Sequence, residues 1–201
     1  MRFIGLQAAC WLTATLAASP VVAATGVPMP AVWKAHHVNF VYMGVTSRYS
    51  CDGLSDKVRA MLINLGARRD LRIAALGCAE YGRPPGPHSI SPSLDIRFSA
   101  PAVPHAGIKP SGPGDLAPVD ARFESFTIAA DAFRDMGIGD CELVEEFARQ
   151  ILPKLATRDL EKKITCVPYQ LSGSRYYIHG QILRALPPGE QSALEKSGGA
   201  K

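Results

Sequence analysis

The chain of 201 residues has no apolar run of the about 20 residues that a membrane-crossing helix requires. The nearest approach, Phe3 to Ala18, is interrupted by Gln7, Thr13 and Thr15. Closely spaced metal ligands are also missing. Neither Cys-x-x-Cys nor a helical His-x-x-x-His occurs, which removes the common zinc sites. The Gly-x-Ser-x-Gly elbow, Ser-x-x-Lys, the phosphate loop and the dinucleotide fingerprint are absent too, so no cofactor and no motif-borne catalysis are expected. A charge excess of one sign is lacking as well. The net charge of +4 comes from basic residues scattered among acids, unlike the clustered basic surface of nucleic-acid binders.

What the sequence does contain begins at its N-terminus. Arg2 follows Met1, an apolar stretch runs from Phe3 to Ala18, and Ser19, Pro20 and the small residues Val21 to Ala24 come next. That is the order of a cleaved secretory signal, with cleavage near Ala24 and a periplasmic or secreted destination. Lipidation of Cys10 is disfavoured, because Gln7 stands where an aliphatic residue is wanted and the apolar run continues past the cysteine. The expected organisation is a signal peptide over 1–24, one soluble domain over 25–186 and a disordered polar tail over 187–201. An apolar content of 47% and a charged content of 20% suit a globular domain.

Shifted by ninety residues, the chain matches itself. Cys51 falls on Cys141, Arg59 on Arg149, Met61 on Ile151, Leu62 on Leu152, Leu65 on Leu155 and Arg68 on Arg158. A two-residue gap then brings Cys78 onto Cys166. Each half reads as strand, helix, strand, strand. Leu54, Val58, Met61, Leu62 and Leu65 make one apolar face of a helix over 52–65, which Gly66 stops. Leu143, Phe147, Ile151 and Leu155 do the same in the second half, with Asp140 as candidate N-cap and Pro153 as terminator. Strands are expected over 39–45, 71–76, 94–99, 122–129, 160–167 and 175–183. In the third, Leu94, Ile96 and Phe98 alternate with Asp95 and Arg97, the pattern of a sheet with one wet face. The fold class is therefore α+β. Two β-α-β-β units, about 36–99 and 121–186, form a mainly antiparallel sheet with two helices on one face. A Pro/Gly-rich linker over 100–120 joins them.

Cys51, Cys78, Cys141 and Cys166, four cysteines in an exported chain, read as two disulfides. The repeat favours Cys51 with Cys78 and Cys141 with Cys166, each tying a helix start to the end of the next strand. His36 and His37 are adjacent in an extended segment and point opposite ways, so they do not share an ion. His88 and His105 lie in Pro/Gly-rich loops, and His179 lies in the last strand. Glu142, Glu145 and Glu146 suit the dipole at a helix start. Arg68, Arg69 and Arg72, with Lys57 and Arg59 nearby, form the densest basic segment and are the candidate contacts for an anionic ligand or partner. Basic residues after a helix also answer its dipole without any ligand. The tyrosines Tyr42, Tyr49, Tyr176 and Tyr177 suit packing or an aromatic contact surface. These features describe a non-catalytic exported protein that binds an unknown protein or an anionic envelope ligand. The alternative is a small hydrolase whose catalytic residues converge only in space.

Overall fold

The computed structural model describes residues 26–76, 92–105, 115–132, 136–188 and 190. The expected signal segment with Cys10, as well as Cys78 and His88, lies outside them. Six strands and two helices follow one another as β1 (Met29–Val41), α1 (Cys51–Asn64), β2 (Arg72–Leu76), β3 (Ser93–Ala102), β4 (Pro118–Ala129), α2 (Cys141–Gln150), β5 (Thr157–Thr165) and β6 (Arg175–Ala185). They build one six-stranded sheet of order β2-β3-β1-β4-β6-β5. Every neighbouring pair is antiparallel. The succession strand, helix, strand, strand occurs twice, and the strand order reads the same from either edge.

The two helices start and stop by different means. Ser50 accepts the Gly53 N–H at the start of α1. Gly66 ends that helix at φ +88, where only glycine is unstrained, and lies close to Arg184 of β6. After α2 a single 3-10 turn, Leu152–Lys154, carries Pro153, as expected of a terminator. Alternate residues of the strands face the helices. Val38 and Phe40 of β1, Leu94 and Ile96 of β3, Ile128 of β4 and Ile178 of β6 meet Leu54, Val58 and Leu62 of α1 and Leu143 and Phe147 of α2 in one core. Residues of opposite phase remain more open, apart from a small cluster of Ala31, Ala121 and Leu183 at the β1/β4 seam.

Several boundaries differ from expectation. β1 begins at Met29 and ends at Val41 instead of spanning 39–45. Lys34, His36 and His37 hide the strand in the sequence, and only the ladder to β3, from Val32↔Ala102 to Val41↔Ser93, reveals it. The linker shortens to 103–117, because Pro101 and Pro118 lie inside strands. Both are tolerated for a reason of position. β2 pairs only with Ser93 to Arg97 of β3, so no second strand asks Pro101 for an N–H, and Pro118 is the first residue of its strand. The tail, expected to be disordered from 187, carries an ordered residue in Glu190, which pairs with Arg122.

Cys141 and Cys166 form a disulfide with a Cα separation of 5.6 Å, the pairing that the repeat favours. Cys51 is disulfide-bonded as well. Its expected partner Cys78 lies outside the described residues. No helix among the described residues is long and apolar enough to cross a membrane.

Candidate functional site

Two polar constellations stand out, and they differ in what they leave open. The first lies at the start of α2. Asp140 was expected to cap this helix, yet its carboxylate makes no cap bond and is buried. It accepts from Tyr49 Oη at 2.5 Å, from Lys57 Nζ at 3.0 Å and from the Gly137 N–H at 2.7 Å. Burial, and then the Asp140 carboxylate, push the Tyr49 phenol far above its ordinary pKa, so it stays a donor. Glu142 likewise is not a solvated dipole partner. It is buried, and accepts both the Thr46 N–H at 2.8 Å and the Thr46 hydroxyl at 3.0 Å. Ser47 Oγ donates to the Gly139 carbonyl at 2.6 Å. Apart from the local Gly137–Asp140 bond, each of these bonds joins the segment 46–57 of the first half to 137–142 of the second. The donors and acceptors satisfy one another, which makes this a clamp between the halves.

Gln150 adds to the clamp from the far end of α2. Its side chain accepts the Val41 N–H at 2.9 Å and donates to the Val41 carbonyl at 2.7 Å, in the way a neighbouring strand would. Glu146, also expected to serve the dipole, instead holds Arg149 and the Gln150 amide.

The second constellation is an open groove of about 530 Å³ lined by Ala35, His36, His37, Asp70, Leu71, Arg72, Arg97, Phe98 and Ser99. Its floor follows from the strand registers. Arg72 of β2 stands opposite Arg97 of β3, and Arg97 stands opposite His37 of β1, so three basic residues lie in one row across three strands. Like charges directly opposite one another weaken a sheet. One carboxylate answers them in part. Asp95 contacts His37 Nε2 at 2.7 Å and Arg97 Nε at 3.5 Å, and the hydrogen bond from His37 holds the carboxyl below its ordinary pKa. Arg72 has no hydrogen-bond or ion-pair partner among the described residues.

The three arginines of the basic segment therefore separate. Arg72 lines the groove. Arg68 pairs with Asp70 and lies over the Trp33 ring at 5.6 Å, while Arg69 has no partner among the described residues. None of the three lies in the last turn of α1 itself. Nearby, Lys57 is committed to Asp140, and Arg59 donates to the Leu71 carbonyl at 3.3 Å. Sequence reading missed Arg97, since a lone arginine in an alternating strand carries no signal until register sets it beside Arg72.

His36 and His37 do point to opposite sides. His36 stacks on Phe98 with ring centroids 5.0 Å apart. Burial, and then Lys34 and Lys154, lower its pKa from 6.5 to about 4, while Asp115 opposes the shift. A histidine with a depressed folded pKa binds fewer protons when folded. Its contribution to stability is complete above about pH 6.5 and is lost as the pH falls through about 4. His36→Phe is expected to flatten the fall in stability across that window, read as urea midpoints at a series of pH values. An unchanged pH dependence would mean that His36 is not the group responsible.

Among the described residues no group of three His, Cys, Asp or Glu side chains is placed to hold a metal ion. No family model, no curated protein and no solved structure matches this chain.

Proposed function

We propose that this protein is an exported, disulfide-stapled binding protein built from a duplicated β-α-β-β unit, and that its groove holds an anionic group of a partner or envelope ligand. The observation that carries the binding reading is the row Arg72, Arg97 and His37, where two arginines face one another across a ladder and one of them lacks a carboxylate. Nothing in the packing asks for that charge, and a sheet without it would be the more stable. Two guanidiniums suit a phosphate or carboxylate, whose oxygens accept paired N–H donors. The Cys141–Cys166 disulfide agrees with export into an oxidising compartment, where such bonds persist.

The test is titration calorimetry with inorganic phosphate at low ionic strength. Arg72→Glu combined with Arg97→Glu is expected to weaken binding at least tenfold, with stability held within about 0.5 kcal/mol because both side chains are exposed. Equal binding by the double variant, or no binding by the parent, removes this reading.

A second reading, hydrolysis, draws on one contact: His37, which pairs with Asp95, lines the same groove as Ser99. Covalent capture of Ser99 by a fluorophosphonate is the result that would favour it over binding.

A further inference from the structure

The ninety-residue shift seen in the sequence carries Met29 onto Val119 and Ala31 onto Ala121. At the seam between the halves, Met29 pairs with Ala121, Ala31 pairs with Val119, and Pro30 pairs with Asp120, its own equivalent. The register thus maps onto itself when the halves are exchanged. Any antiparallel register does so, and this one places the centre of the exchange on the Pro30/Asp120 pair. Leu116 donates to the Trp33 carbonyl, and Gly26, its equivalent, packs against the backbone of Phe123, the equivalent of Trp33. Arg68 lies over Trp33 at 5.6 Å, and its equivalent Arg158 lies over Phe123 at 4.1 Å. Leu54, Val58, Met61, Leu62 and Leu65 are buried, as are Val144, Ala148, Ile151, Leu152 and Leu155.

From these relations we infer that the chain is a fused dimer, its units related by a twofold axis through the Pro30/Asp120 pair, in which only the first unit keeps the anion row. The inference deepens the duplication and binding readings and rests on both. Its geometric part follows from a general rule: symmetric two-unit assemblies use one patch twice, with contacts exchanged between partners. The binding part follows from the registers. His37, Arg97 and Arg72 correspond to Thr127, His179 and Glu161, the residues that face one another at the same place in the second unit. There Thr127 Oγ1 lies 3.1 Å from His179 Nδ1, and a carboxylate replaces the outermost arginine. An anion meets two guanidiniums in the first unit, whereas in the second it meets the Glu161 carboxylate, whose cationic partner Lys163 is already engaged at 2.6 Å. The protein should hold one anion, although its fold offers two equivalent positions.

The deciding experiment reverses the order of the units. A circular permutant running 118–186, then the linker 103–117, then 28–102 asks the same linker to join the other pair of unit ends. Under the twofold these ends are equally far apart. The permutant should give the parent's far-ultraviolet dichroism and disulfide map, and should bind phosphate at a stoichiometry of one with affinity within threefold. A second permutant with a linker twice as long guards against misreading a failure. If only the longer one folds, the two spans differ and the twofold is wrong; if neither folds while the parent does, the units are not equivalent. A stoichiometry of two in the parent would overturn the single-site part. Absence of phosphate binding in both parent and permutant counts against the binding reading, while folding of the permutant still decides the symmetry.

Discussion

Asp140→Ala is expected to lower the unfolding free energy by about 3 kcal/mol, because it strips a carboxylate partner from a largely buried ammonium and a partly buried phenol at once. Lys57 and Tyr49 both end on this carboxylate, at 3.0 Å and 2.5 Å. Asp140→Asn keeps the volume and one acceptor oxygen, so it should cost less than the alanine variant. The order of the two variants tests whether charge, and not just shape, holds the clamp. Urea unfolding followed by dichroism gives both values. Because Asp140 joins the halves, a double-mutant cycle with Tyr49→Phe should show coupling of at least about 0.5 kcal/mol. A loss under 1 kcal/mol for Asp140→Ala would show that the halves are held by the shared core alone, with the network contributing little.

Replacing both Cys141 and Cys166 by serine is the second large effect, again about 3 kcal/mol, the loop-closure entropy regained by the unfolded chain when a link across 25 residues is removed. Enthalpic accounts of disulfides predict a loss of similar sign, so the temperature dependence of the loss, from calorimetry, distinguishes the two. Cys141 is buried and sits one residue from the Asp140 clamp, which places both constraints on the first turn of α2. The groove proposed to hold an anion lies in the other half and should survive. Loss of phosphate binding in the serine variant at a urea concentration where it is still folded would show that the groove depends on the second unit.

Much of the fold was legible in the sequence because it rests on local periodicity. The helix faces of Leu54 to Leu65 and Leu143 to Leu155, the alternation of Leu94, Ile96 and Phe98, and the recurrence of cysteine at ninety residues are properties of short windows or of simple comparison. The ends of β1 and the strand positions of Pro101 and Pro118 were not legible, since polar and proline residues there are accommodated by which neighbour a strand lacks. The roles of Asp140 and Glu142 were misread for a related reason. An acid at a helix start looks the same in sequence whether it faces water or the hydroxyls and ammonium of another segment.

The sequence by itself determined the α+β class, the two helices and their buried faces, and the cysteine pairing of the second half. Each depends on side-chain chemistry repeated at short range. Only the tertiary structure decided the strand order, the register at Pro30/Asp120, the clamp around Asp140 and the meeting of Arg72 with Arg97 and His37. The physical reason is that pairing between strands distant in sequence is chosen by the free energy of the whole core. A one-residue slip in the β1/β3 or β2/β3 ladder would turn the buried face of a strand outward and separate the three basic residues.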